Sequence, residues 1–198
     1  MAIQSPECYV LEQTRFCPNN QLPYLVYRNV LPPNATEQIA SEMLTKHGGW
    51  ERFGPVWGPV SKRHFHPNVH ECYAILTGTS TFLLGLATGD SEADVEAAPE
   101  AAGCKGVDVR STRGLRLRVF AGDVVIQPAG TGHSSLDHDG NFRYISLLVS
   151  GGPHWRSSIG NTPVNEEIRQ GISQIPLPEF DRVYGKDGAL QRLWGSAS

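Results

Sequence analysis

Short apolar, β-favouring runs separated by Gly, Pro, Asn and Asp dominate the chain. Leu115-Arg116-Leu117-Arg118-Val119 alternates apolar and charged positions, as a strand with one buried and one wet face does. Leu22 to Val30, Cys72 to Leu76, Thr79 to Leu86, Val124 to Ile126 and Phe142 to Val149 also read as strands. Turns fall at Thr77-Gly78-Thr79, Gly122-Asp123, Pro128 to Gly132 and Asp139-Gly140.

Two segments have a helical pattern instead. Asn34 can cap a helix that has Glu37 three residues on, with Ile39, Met43 and His47 on one stripe and Gly48-Gly49 as its stop. A second helix is expected from Pro163, capped by Thr162, with Val164, Ile168 and Ile172 on one stripe and Pro176 and Pro178 as its end. Residues before about Pro18 read as an arm, and Trp50 to Trp57 as an aromatic rim. Ala87 to Gly114 is an insertion, acidic and Ala-rich in its first half (Asp90, Glu92, Asp94, Glu96, Glu100), expected as a surface loop or a lid.

Composition narrows the class. The chain has 198 residues, enough for one domain with elaborations, and carries a formal net charge of −3. No basic stripe suggests nucleic acid as a partner, and no apolar run approaches the ~20 residues of a membrane helix. The N-terminus lacks the charged head and apolar stretch of a signal peptide. Cys8, Cys17, Cys72 and Cys104 form no CxxC pair and read as four free thiols, which suits a cytoplasmic location.

The chemistry lies between Gly58 and Asp137. Gly58 is followed after five residues by His64-Phe65-His66-Pro67, then Glu71 and Gly78. A second segment reads Gly122, five residues, Pro128-Ala129-Gly130, two more, His133, three more, Asp137. On a strand His64 and His66 share a face, Pro67 ends the ladder, and a hairpin through Asn68-Val69-His70 can return Glu71 beside them. The turn at Pro128 to Gly132 delivers His133 to the start of another strand. Three imidazoles and a carboxylate are transition-metal ligands, and the absence of a thiolate argues against structural zinc.

These segments resemble the two motifs of the cupin superfamily, G(x)5HxH(x)3–4E(x)6G and G(x)5PxG(x)2H(x)3N, with Asp137 in place of the final Asn. The resemblance implies a mostly β fold, a jelly-roll antiparallel β-barrel of the RmlC-like kind with a few flanking helices. It implies a metal held by His64, His66, Glu71 and His133, with iron expected before manganese and zinc. A narrower resemblance to YjlB-type cupins rests on Leu22 to Tyr27, the extra His70, Ile175-Pro176-Leu177-Pro178 and Tyr184-Gly185-Lys186-Asp187-Gly188. The expected organisation is a single cupin domain: arm 1–18, barrel core about 22–150, insertion 87–114 and helical tail 162–198.

Around the metal, Tyr73 shares the face of Glu71 and either binds substrate or fills the barrel. His70 faces outward on a regular strand, or swings in as a proton shuttle if the turn persists. Asp137 shares a face with His133 and is either a base or a turn flank, and Lys62 meets an anionic group or projects into water. The catalytic candidates are therefore Tyr73, His70 and Asp137. The expected activity is a metal-dependent oxidoreductase of the dioxygenase kind, acting on a chelated oxygen-rich or phenolic metabolite. A Lewis-acid isomerase, cyclase or lyase and a non-enzymatic binding module are the alternatives, and the absence of a helix-turn-helix disfavours a transcriptional sensor. The partner is a small-molecule substrate, and a homodimer follows from the resemblance, with the arm and the Leu22–Val30 strand as candidate swapped elements.

Overall fold

The computed structural model describes residues 4–93, 95–98 and 111–195. In chain order its elements are β1 (Glu7–Leu11), β2 (Tyr24–Tyr27), α1 (Glu37–Thr45), β3 (Trp50–Trp57), β4 (Glu71–Thr77), β5 (Thr79–Leu84), β6 (Val95–Ala97) and β7 (Ser111–Thr112). Then follow β8 (Gly114–Phe120), β9 (Val124–Gln127), β10 (His133–His138), β11 (Arg143–Val149), α2 (Glu166–Ser173) and α3 (Leu190–Gly195). One sheet has seven strands in the order β3-β11-β4-β9-β2-β1-β7, and the other has four in the order β10-β5-β8-β6. Pairing is antiparallel except at the edge pairs β1–β7 and β6–β8. The fold is thus mostly β with flanking helices, as expected. Among the described residues the ladders form two sheets and not one closed ring.

Alternation explains how the larger sheet is covered on both faces. Tyr24, Val26, Tyr73, Ile75, Val125 and Tyr144 point inward and pack with Phe82, Leu84, Leu115, Leu117 and Val119 of the smaller sheet. Leu25, Tyr27, Cys72, Ala74, Val124, Ile126, Ile145 and Leu147 point outward, beneath α1, α3 and the C-terminal segment. Each fully buried Leu, Ile or Phe of these layers contributes roughly 1.5–3 kcal/mol. The turn from β4 into β5 needs a glycine. Gly78 has φ 70°, and an added Cβ would lie 2.7 Å from the Phe142 backbone nitrogen.

Several expected boundaries shift. The arm is not free: β1 pairs with β2, Cys8 opposite Leu25. The first long strand stops at Tyr27, because Asn29 turns at φ 50° and its N–H donates to Asp123 Oδ1. Trp50–Trp57 is a strand that pairs with β11, and its Phe53 and Trp57 line a cavity, as the rim reading expected.

Thr36, not Asn34, caps α1, accepting from the Ile39 N–H. Ala40 and Leu44 are its buried positions, while Ile39 is 44% exposed. The small Ala40 side chain lets the helix approach the sheet, so the buried stripe lies one position on from the expected one. In α2 the cap is Asn165 rather than Thr162, and Val164 and Ile172 are buried. Cys17 and Cys72 are free and buried, but Cys8 is disulfide-bonded, so the expectation of four free thiols fails there. Cys104 and most of the 87–114 insertion, with its lid reading, lie outside the described residues.

Candidate metal centre

The site begins with a pair of backbone hydrogen bonds. His64 N–H donates to His133 O at 3.2 Å, and His133 N–H donates to His64 O at 2.9 Å. Residues paired this way across an antiparallel bridge place their side chains on the same face. The two rings lie 4.4 Å apart, centroid to centroid. His66, two residues on, joins them with centroids 4.8 Å from His64 and 5.6 Å from His133. Phe65 between them turns the other way and is buried against Cys17 and Ala87. One ligating atom from each of His64, His66 and His133 lies within 4.8 Å of the others.

Each ring is oriented through the nitrogen that faces away from this centre. Nδ1 of His64 lies 2.7 Å from Lys62 O, Nδ1 of His66 lies 2.7 Å from Arg156 O, and Nδ1 of His133 lies 3.0 Å from Thr131 O. A carbonyl only accepts, so each Nδ1 carries the proton and each Nε2 keeps its lone pair. This is the outer-shell arrangement that holds a metal-ligating histidine in one tautomer and orientation. Burial lowers the His64 pKa, and burial followed by the neighbouring rings lowers that of His133 well below the ordinary value. Both are therefore neutral at pH 7, the state a ligand needs.

Glu71 stands beside the triad. Its Oε2 lies 3.4 Å from His66 Nε2 and accepts from Gln127 Nε2 at 2.6 Å, while Oε1 accepts from Ser146 Oγ at 2.6 Å. Register explains the cluster: Glu71 faces Gln127 on β9, and Ser146 on β11 faces Tyr73. Each carboxylate oxygen keeps a lone pair beyond these bonds. The three imidazoles fit a divalent transition metal, and the Glu71 carboxylate stands beside them, next to His66. Tyr73, 2% exposed, has its hydroxyl 3.1 Å from His133 Nε2. Burial first, and then the Glu71 charge, hold that hydroxyl well above the ordinary tyrosine value, so it stays protonated and able to donate.

The centre forms the floor of a cavity of about 380 Å³, which His64, His66, Glu71 and Tyr73 line together with Phe53, Trp57, Tyr144 and Trp155. A strap after β11, residues 154–160, runs along the first motif. Asn68 donates to His154 O and accepts from Arg156 N–H, at 2.8 and 2.9 Å, and Phe65 and Ser158 exchange backbone bonds at 2.9 Å each way. The strap thus supplies the carbonyl that orients His66 and carries Trp155 against that ring, centroids 5.4 Å apart.

Sequence reasoning missed Gln127, Ser146, Arg156 and Trp155. Only alternation on β9 and β11 hinted at the first two, and nothing near the motifs hinted at the strap. Two expected catalytic residues are not brought to the triad. His70 is 1% exposed, accepts from Ala129 N–H through Nδ1 at 3.0 Å, and packs on Trp194 on the helix-covered face. It faces away from the cavity, as a regular strand requires, but the C-terminal helix covers it instead of water. Asp137 is exposed, because a bulge between Ser135 and Asp137 breaks the alternation that would have aligned it with His133. Its Oδ1 accepts from Thr81 N–H at 3.0 Å. Lys62 is exposed and lines the cavity mouth.

Two mostly antiparallel sheets carry a histidine triad on paired motifs at their junction, the arrangement that the resemblance to cupins implies. Over 189 residues, 92% of this chain and 96% of the other, the chain is 24% identical to, and so similar to, the uncharacterized protein YjlB of Bacillus subtilis (strain 168). No protein-family model matches the chain. Solved structures similar to it include vicilin from Corylus avellana (hazelnut), with TM-score 0.34 and 13% identity over 84% of this chain and 39% of that one. Lactobacillus farciminis oxalate decarboxylase in its formate complex gives TM-score 0.32 and 10% identity over 89% and 40%. RmlC from Streptococcus suis in complex with dTDP-D-xylose gives TM-score 0.36 and 9% identity over 88% and 95%. The chain spans about two fifths of the vicilin and decarboxylase chains, at 39% and 40%. Overlaps at this level carry nothing about the reaction. No helix among the described residues is long and apolar enough to cross a membrane.

Proposed function

We propose that this chain is a metal-dependent enzyme of small molecules, an oxidoreductase of the dioxygenase kind acting on an oxygen-rich or phenolic metabolite. The observation that carries the metal is the set of three Nε2 atoms, each fixed by a carbonyl behind its ring. Glu71, oriented by Ser146 and Gln127, is the fourth ligand of this proposal. A nitrogen and carboxylate set without thiolate suits several divalent transition metals, and the resemblance to cupins puts iron first, then manganese, then zinc. Bound there, such an ion supplies Lewis acidity and, if redox-active, a route for electrons to O2.

The chain's own residues do the rest. The aromatic and aliphatic walls exclude water from the floor. Tyr73 presents a protonated hydroxyl beside His133, positioned to donate a hydrogen bond or a proton to a substrate oxygen. That protonated donor also favours a second reading, an isomerase, cyclase or lyase in which Tyr73 moves a proton and O2 takes no part.

The test is O2 uptake by iron-loaded protein against a panel of phenolic, α-hydroxy-acid and dicarbonyl compounds, run in air and under nitrogen. Metal-dependent substrate turnover that consumes O2 in air and stops under nitrogen supports the oxidoreductase. Turnover that persists under nitrogen selects the second reading, and no metal-dependent turnover with any compound leaves a binding module. Tyr73→Phe should reduce the rate by about 10²-fold or more if the hydroxyl is the proton donor.

A further inference from the structure

Size, wall chemistry and charge together narrow what the cavity accepts. At about 380 Å³ it lies near the lower end of small-molecule sites, which run from about 300 to 1,000 Å³. That volume suits a ligand with one ring and excludes one as large as a nucleotide sugar. The walls are mainly aromatic: Phe53, Trp57, Tyr144 and Trp155, with Leu148 and Ile159. Trp155 meets Phe53 edge to face, centroids 5.7 Å apart, and meets the His66 ring at 5.4 Å in the same way. One rigid aromatic corner therefore stands directly beside the ligating histidines. Aromatic pairs favour edge-to-face and offset arrangements and gain from them beyond the area they bury.

Charge supplies the second selection. Among the lining residues, Lys62 at the mouth and Glu71 at the floor are the ionic side chains, and Glu71 is already engaged by Ser146 and Gln127. A dication on the neutral imidazoles leaves the cavity net positive. The strap that carries Trp155 is pinned to the first motif by Asn68 and Phe65, so this wall holds its place as a ligand enters.

We propose that the cavity selects single-ring aromatic anions with two neighbouring oxygen donors, such as aryl α-hydroxy acids, and that Trp155 and Phe53 on its wall set the aromatic preference. This rests on the metal reading above. The carboxylate and hydroxyl oxygens face the triad, the ring lies against Trp155 and Phe53, and the negative charge meets the net positive floor and mouth.

The probes are mandelate, lactate and mandelamide. Mandelate and lactate share one α-hydroxy-carboxylate head and differ by a phenyl ring in place of a methyl group, and mandelamide keeps the ring but lacks the charge. Affinities are measured by titration calorimetry on metal-loaded protein, with the metal content of each sample measured alongside. Mandelate should bind about tenfold or more tighter than lactate, the scale of one good aromatic contact, and mandelamide should bind more weakly than mandelate. Mandelate should also quench tryptophan emission from Trp57 and Trp155. Trp50 and Trp194, 3% and 0% exposed beneath the helices, should be silent.

Trp155→Leu and Phe53→Leu should each bring mandelate close to lactate, with affinities referred to the metal-loaded fraction of each sample. Equal affinities for the two acids on fully loaded wild-type protein overturn the proposal and leave the metal reading intact. An unchanged preference in both variants overturns the assigned wall. Wild-type protein that takes up no stoichiometric metal overturns the metal reading and this proposal with it.

Discussion

The two faces of the seven-stranded sheet each bury a polar cluster, and the clusters differ in what they leave open. On the outer face Asp181 is fully buried. It accepts from the Tyr27 hydroxyl and from the N–H groups of Val183, Tyr184 and Leu190. Arg182 beside it donates to Leu44 O and Gly48 O and lies over the Trp50 ring, 5.0 Å from its centroid. His70 on this face uses Nδ1 as an acceptor, which places its proton on Nε2. On the inner face the tautomer is reversed in all three histidines, and their Nε2 lone pairs converge. Burial is common to both clusters. The outer one spends the acceptors of Asp181 on the fold, whereas the inner one turns the Nε2 atoms of three histidines toward one another, with His64 and His66 lining a cavity.

Asp181→Ala should show the largest effect. It leaves the Tyr27 hydroxyl and three N–H groups without their acceptor, so chemical denaturation should show a loss of about 3–5 kcal/mol. Metal content should not change, since nothing in that cluster faces the triad. A loss of metal at full folding would dissolve the contrast between the faces.

Protonation of His70 comes next. Burial lowers its pKa from 6.5 to about 4 in the folded chain. Below pH 6.5 the unfolded chain takes up a proton that the folded chain refuses, so stability falls with pH until about 4, where both forms are protonated. At about 1.4 kcal/mol per pH unit this one group costs about 3 kcal/mol. Stability curves measured from pH 7 to 4 should be flatter by that amount in His70→Asn, whose Oδ1 can replace the Nδ1 acceptor. Parallel curves would show that His70 titrates normally.

The supports of Glu71 give a smaller effect. Ser146→Ala and Gln127→Leu should each weaken metal affinity about 10- to 100-fold, read from chelator competition, with little change in fold. Unchanged affinity in both variants would mean that the carboxylate needs no positioning. The smallest effect is expected at Asp137. Asp137→Asn should alter stability by less than about 0.5 kcal/mol and leave metal affinity alone, since the side chain is exposed beyond the bulge.

How far the chain could be read before its structure follows from the range of each signal. Alternation in β8 and the turns at Gly78, Gly122 and Gly140 are local, and they were legible. The spacing of His64, His66 and His133 was legible too, because side-chain direction along extended backbone is fixed by position. His70 and Asp137 show where that rule stops. For Asp137 a single bulge reverses the alternation, and no residue type announces it. For His70 the direction was readable, but what covers it arrives from Trp194, far along the chain. The strap bond from His66 to Arg156 spans 90 residues and joins a side chain to a carbonyl, a partner that every residue offers and no motif marks.

The most direct measurement is elemental analysis of the purified chain beside His64→Ala and His133→Ala, each checked for an intact fold by circular dichroism. Wild-type protein should carry one transition-metal ion per chain, and both folded variants should carry none. Metal content that is unchanged in both folded variants would show that these imidazoles share no ion.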